Sequence, residues 1–209
     1  MTYKKALEIQ NAVISLYPNE KCTLEYSNAL ELLIATRLSA QCTDERVNIV
    51  TPTLFNKYHN VEEYAKADIT DIEKIIHSCG FYKDKAKSIK EMSIQIINNF
   101  NGQMPNTLEG LKSLFGIGRK TANLIMGEIF KMPAYITDTH CIRLSNRLGF
   151  CKTTEPQKVE MILRKYILEE NSLKFCHGLV AHGRKVCKSR SPLCAECTLS
   201  EYCVFNKSK

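Results

Sequence analysis

Four cysteines within 17 residues, Cys187, Cys194, Cys197 and Cys203, constrain this chain more than any other feature. The loops between them are too short for independent structure, so the segment must fold around whatever the thiols hold in common. All-thiolate ligation suits zinc or an iron–sulfur cluster, both of which take soft donors. Structural zinc generally uses two short knuckles. Here only Cys194 and Cys197 form one, while the outer cysteines stand six and five intervening residues away. That asymmetry favours a [4Fe–4S] cluster, structural in role, with redox sensing as a second use and free thiols at chance spacing as the plain alternative. The other six cysteines are scattered singly, as buried small apolar residues of a reducing compartment are.

The rest of the chain reads as helical. Leu7, Val13, Ile14 and Leu16 mark a first amphipathic helix stopped by Pro18, and Leu30 to Leu38 mark a second that is apolar on most faces. A third runs from Thr43 toward Tyr58, with Pro52 expected to kink or split it. Asp68 opens another helix that Cys79-Gly80 stops. Lys83 to Phe100 carries Ala86, Ile89, Met92, Ile96 and Ile97 at helical spacing, and Pro105-Asn106-Thr107 starts the next. Period-two alternation is absent, so the expected class is all-α with a small stapled C-terminal appendage. With 209 residues, 44% of them hydrophobic, the chain can build one sizeable core or two small ones. The opening residues have no apolar signal core and no run of 18 apolar residues occurs, so a soluble cytoplasmic protein is expected, not a membrane one. A net charge of +7 fits a polyanionic partner without specifying it.

Two segments carry chemistry. In Leu114-Phe115-Gly116-Ile117-Gly118-Arg119-Lys120 a short helix is followed by two glycines and then a second helix, whose open N–H groups and positive end suit one phosphate. An ordinary helix–helix turn is the plain alternative. Lys120 falls in the first turn of that second helix, where the dipole and any burial disfavour the ammonium form. A neutral amine there can attack an electrophilic sugar carbon, and a solvated lysine or a second phosphate contact stands beside that reading. Further on, Asp138 is placed to cap the helix that follows Thr137-Asp138-Thr139-His140. Near a lysine amine its carboxylate could steady a cationic sugar or assist proton transfer. His140 is either a third participant or a packed histidine. Arg184-Lys185 and the loop Lys188-Ser189-Arg190, pinned by cysteines, would present charge to a phosphate backbone.

Taken together these residues resemble the endonuclease III family of helix–hairpin–helix DNA glycosylases over nearly the whole chain. The likeness rests on Leu38-Ser39-Ala40-Gln41 with Thr43-Asp44, Gly80-Phe81-Tyr82, the Gly116–Ala122 hairpin, Asp138-Thr139-His140 and the four cysteines. It implies two helical domains with a DNA-binding cleft between them. One is a six-helix domain over residues 22–132 that carries the hairpin. The other is discontinuous, residues 1–21 plus 133–209, and holds the [4Fe–4S] cluster on Cys187, Cys194, Cys197 and Cys203. It also implies a bifunctional glycosylase and abasic-site lyase of base excision repair, acting on double-stranded DNA with damaged pyrimidines or abasic sites. Lys120 would be the nucleophile and Asp138 the carboxylate. Gln41 and Phe81 would fill the gap left by the extruded nucleotide, since C1′ is out of reach inside the stack. Gly116, Gly118, Arg119, His140, Arg184, Lys185, Lys188 and Arg190 are the remaining expected DNA contacts, and a nucleoid-associated monomer is the expected form. An adenine-type monofunctional glycosylase fits less well, because that branch lacks a lysine at position 120 and carries a further C-terminal domain. A non-catalytic DNA binder is opposed by Lys120 and Asp138 together. The chain departs from the family pattern at Phe115 (often Pro), Phe81 (often Leu), Thr137 (often Val) and Arg37 (usually apolar), which bears on substrate preference more than on reaction type.

Overall fold

Every regular element among the described residues, Met1–Lys207 of this computed structural model, is helical. The first helix, α1 (Tyr3–Leu16), is capped by the Thr2 hydroxyl and buries Ala6, Ile9, Gln10 and Val13 as one stripe. It stops at Tyr17, which Pro18 holds out of the helical region. α2 (Ala29–Leu38) is buried on most faces, through Leu30, Leu32, Leu33, Ile34, Ala35 and Leu38. Its start is fixed reciprocally: Asn28 Oδ1 accepts the Glu31 N–H at 3.0 Å, and Glu31 reaches back to the Ser27 N–H at 2.6 Å.

α3 (Asp44–Lys57) contains Pro52 yet stays one helix, so the expected split does not occur. A proline removes one N–H and crowds one carbonyl, and here buried Val47, Val50, Thr51 and Leu54 hold both sides of it to the core. α4 (Val61–Lys66) repeats the α2 start with Asn60 and Glu63. α5 (Ile69–Ile76), capped by Asp68, runs into a 3₁₀ turn, His77–Cys79, that ends at Gly80 with φ +68°. α6 (Tyr82–Phe100) follows, then α7 (Leu108–Ser113) and α8 (Arg119–Glu128). The last four are α9 (Thr139–Arg147), α10 (Pro156–Tyr166) with proline at its first turn, α11 (Ser172–Lys185) and α12 (Val204–Lys207).

The contacts divide the chain into two compact units. Cys22–Lys131 holds α2 to α8, with α6 packed on α2, α4 and α5, and α8 packed on α2 and α7. Its core includes Leu32, Leu33, Ile34, Leu54, Ile72, Ile89, Met92 and Ile125, all shut off from solvent. The second unit joins Met1–Lys21 to the chain from Met132 onward. There α11 packs on α1 and α9, and α10 on both of the same helices, around Ile9, Val13, Leu144, Leu163, Phe175 and Leu179. Among the described residues no helix is long and apolar enough to cross a membrane.

Candidate active site

The hairpin of the first unit is built by burying two residues and leaving the others open. Leu114 and Ile117 are buried, and the Ile117 N–H closes the turn onto Leu114 O at 3.1 Å. Gly116 takes φ +76°, and a Cβ there would meet Ser88 Oγ at 2.7 Å and Arg37 Nε at 3.1 Å. Only glycine fits that position. Gly118 differs: it caps α8 with ordinary extended backbone, and no atom lies within 4 Å of where its Cβ would sit. No side chain caps the start of α8. Arg37 therefore has a place, behind the hairpin, with its Nε buried and without a hydrogen-bond partner.

Lys120 is exposed rather than buried, one residue into α8 beyond partly exposed Arg119. Its charge acts on Cys22, whose thiol burial pushes up to about 11. Phe115 is 44% exposed, its N–H bound to Gln95 Oε1 at 2.6 Å and its ring 5.8 Å from Lys87 Nζ. Gln41 and Phe81 are exposed too, each in the left-handed region with φ +55° and +46°. Their backbone strain was not predicted by their sequence surroundings.

Asp138 belongs to the second unit. It caps α9, Oδ1 accepting the Cys141 N–H at 2.7 Å, and is half-buried. His140 lies against α11, where a Cβ on Gly183 would come within 2.7 Å of its Nδ1. The same Nδ1 is 3.2 Å from Arg143 Nη2. Burial lowers the pKa of His140, with the Asp138 charge opposing that effect. Arg143 and Arg184 add to the lowering, and the imidazole is packed between α9 and α11.

Cys187, Cys194, Cys197 and Cys203 all line one recess, walled otherwise by Val186, Pro192, Leu193 and Phe205 with Ser200 and Asn206. Among the described residues no three His, Cys, Asp or Glu side chains are grouped to hold a single metal ion. Among the described residues lining the recess the ionisable donors are all soft sulfur, and this donor set in mostly apolar walls fits an iron–sulfur cluster. The surroundings were missed from sequence. Arg143 donates to Cys187 O at 2.8 Å and to Gly183 O at 3.1 Å. Arg147, one turn on, contacts Cys187 Sγ at 3.2 Å, reaches Lys188 O and Ser189 O at 2.9 Å each, and stacks 4.4 Å over Phe205. Buried His182 links Tyr17 Oη (2.9 Å) to Cys197 Sγ (3.4 Å). The only signal for the arginines is their i,i+4 spacing on α9. Arg184, Lys185, Lys188 and Arg190 are all exposed, and Lys185 pairs with Glu20 at 2.6 Å.

A hairpin of this form within an all-helical chain defines a class. Residues 34–169 match the family described as HhH-GPD superfamily base excision DNA repair protein. The endonuclease III of Synechocystis sp. (strain PCC 6803) is 44% identical over 201 residues, covering 96% of this chain and 92% of that protein. A solved non-covalent endonuclease III–DNA complex superposes with a TM-score of 0.93 at 37% identity, covering 100% of this chain and 98% of the other. A trapped endonuclease III–DNA covalent intermediate gives the same values. The chain belongs to the endonuclease III family.

Proposed function

We propose that this chain is a bifunctional DNA glycosylase and abasic-site lyase of base excision repair. It would remove oxidised pyrimidines from double-stranded chromosomal DNA in the cytoplasm and cut 3′ of the abasic site. The observation that carries this reading is the exposed Lys120 amine two residues past Gly118, at a helix start with no side-chain cap and open space beside the glycine. That arrangement docks a phosphate and offers a nucleophile beside it.

Lys120 Nζ, having given a proton to solvent, attacks C1′ of an extruded nucleotide. The C1′–N bond breaks and the base leaves with its electron pair and then takes up a proton. Ring opening gives a Schiff base between Nζ and C1′. Loss of a C2′ proton then expels the 3′ phosphate by β-elimination. Asp138 supplies the carboxylate that steadies positive charge on the sugar or carries a proton. Gln41 and Phe81 fill the vacated stack. Gly116, Gly118 and Arg119 hold one phosphate, and Arg184, Lys188 and Arg190 meet others, with Lys185 engaged by Glu20 and His140 serving mainly to pack α9 on α11.

Cys187, Cys194, Cys197 and Cys203 would hold a [4Fe–4S] cluster. When bound, it joins four thiolates at one centre and fixes the basic loop whose carbonyls Arg147 already gathers. Purified protein is expected to be brown, with iron and sulfide in near-equal amounts. Colourless protein with stoichiometric zinc overturns the cluster.

Duplexes carrying single defined lesions, incubated with and without borohydride, test the reaction. A bifunctional enzyme gives a nick and a trapped adduct, a monofunctional one releases base alone, and a binder does neither. Binding should also respond to salt. Four phosphate contacts from Arg119, Arg184, Lys188 and Arg190 correspond to about 10²-fold weaker affinity between roughly 50 and 200 mM salt. A flat salt response in a filter-binding or anisotropy titration contradicts phosphate docking.

A further inference from the structure

Lys85, in the first turn of α6, is only 1% exposed. Its ammonium donates to two backbone carbonyls, Leu38 O at 2.7 Å and Cys79 O at 2.8 Å. The other groups facing it are Arg37 and the thiols of Cys42 and Cys79. Burying an ammonium is expensive, and an apolar side chain would fill such a place with less penalty. What the charge provides is a link between two segments 41 residues apart in sequence.

Leu38 is the last residue of α2, and the loop that follows carries Gln41. Cys79 ends the 3₁₀ turn, and the next bend carries Phe81. Both exposed side chains stand on left-handed backbone that a non-glycine residue keeps only where its surroundings fix it. The acceptors lie three residues before Gln41 and two before Phe81. A third bond, from the Lys85 N–H to Phe81 O at 3.0 Å, ties the second loop to the same residue.

We propose that Lys85 is a positioning residue, its ammonium stapling the Gln41 loop to the Phe81 loop and so setting the separation at which these two side chains enter the gap left by an extruded nucleotide. The proposal rests on the glycosylase reading above. Displacing positioning groups by about 1 Å can slow a reaction about 10²-fold.

Lys85→Met keeps the chain length and removes the donors. With a duplex bearing one ring-saturated thymine beside 2-aminopurine, this variant is expected to lose the fluorescence rise that reports unstacking, and to release base about 10²-fold more slowly. Borohydride trapping at an abasic site in a single strand, where no gap needs filling, should match the unaltered protein. Added to Gln41→Ala/Phe81→Ala, Lys85→Met should bring little further loss, because the side chains it aims are gone. If Lys85→Met folds poorly, Lys85→Gln, which donates from a shorter amide, should lose part of the unstacking signal and of the base-release rate while single-strand trapping stays unchanged. Equal losses on both substrates, or full additivity, identify mere support of the fold and overturn the proposal. Unaltered protein that forms no adduct on either substrate overturns the glycosylase reading and the proposal with it. Adduct formation with an unimpaired Lys85→Met overturns the lysine's role alone.

Discussion

Lys120→Gln should leave the protein folded and bound to DNA yet unable to nick it or form a borohydride-trapped adduct. Gln has nearly the helix propensity of Lys, and the side chain is exposed, so stability should change by less than about 0.5 kcal/mol. The hairpin that docks the phosphate does not depend on the lysine: Gly116 is fixed by Ser88 and Arg37, and Gly118 by the start of α8. What disappears is the only lone pair in that first turn able to form a carbon–nitrogen bond to C1′. An amide nitrogen is delocalised into its carbonyl and cannot replace it. Removing a covalent nucleophile typically costs on the order of 10⁴-fold or more in turnover, with residual rate from binding and electrostatics alone. Single-turnover gels on one defined lesion measure both nicking and trapping. Undiminished trapping in this variant would rule Lys120 out as the Schiff-base residue.

What the sequence revealed was mostly periodic or local. α2 is visible because nearly every position is apolar, and α6 because Ala86, Ile89, Met92 and Ile96 recur on one face. Caps such as Asp68, Thr107 and Asp138 act over two or three residues and can be read without knowing the fold. Pro52 shows the limit of local rules, since its effect on α3 is decided by packing on both sides of it. Arg37 was opaque for the same reason: its neighbours, Gly116 and Ser88, lie on other elements. Gln41 and Phe81 look like ordinary loop residues until the backbone shows both to be left-handed. The arginines behind the cysteine recess were hidden because Arg143 and Arg147 contact carbonyls about 40 residues away, and a carbonyl carries no side-chain signature. Cysteine spacing announced the four thiols that share a recess but not the arginines and histidine around them.

The two hairpin glycines should fail in different ways when each gains one methyl group. At Gly116, alanine must adopt φ +76°, which costs about 1–2 kcal/mol, and its Cβ must also displace Ser88 Oγ from 2.7 Å and Arg37 Nε from 3.1 Å. Overpacking of this kind costs about 1–3 kcal/mol, so the sum is about 2–5 kcal/mol. For a protein of this size that is a fall of roughly 4–20 °C in Tm. Gly118→Ala meets no atom within 4 Å and keeps an extended backbone that any residue adopts, so stability should stay within about 0.5 kcal/mol. Its methyl instead projects into the open space beside the start of α8, where the proposed phosphate must sit. DNA affinity should therefore fall at Gly118→Ala without loss of stability, and at Gly116→Ala together with it. Thermal unfolding and anisotropy titrations on the same samples separate the two effects. A Gly118→Ala protein that binds and nicks like the original would mean that this face of α8 takes no phosphate. A Gly116→Ala protein with unchanged Tm would mean that Ser88 and Arg37 do not confine the turn.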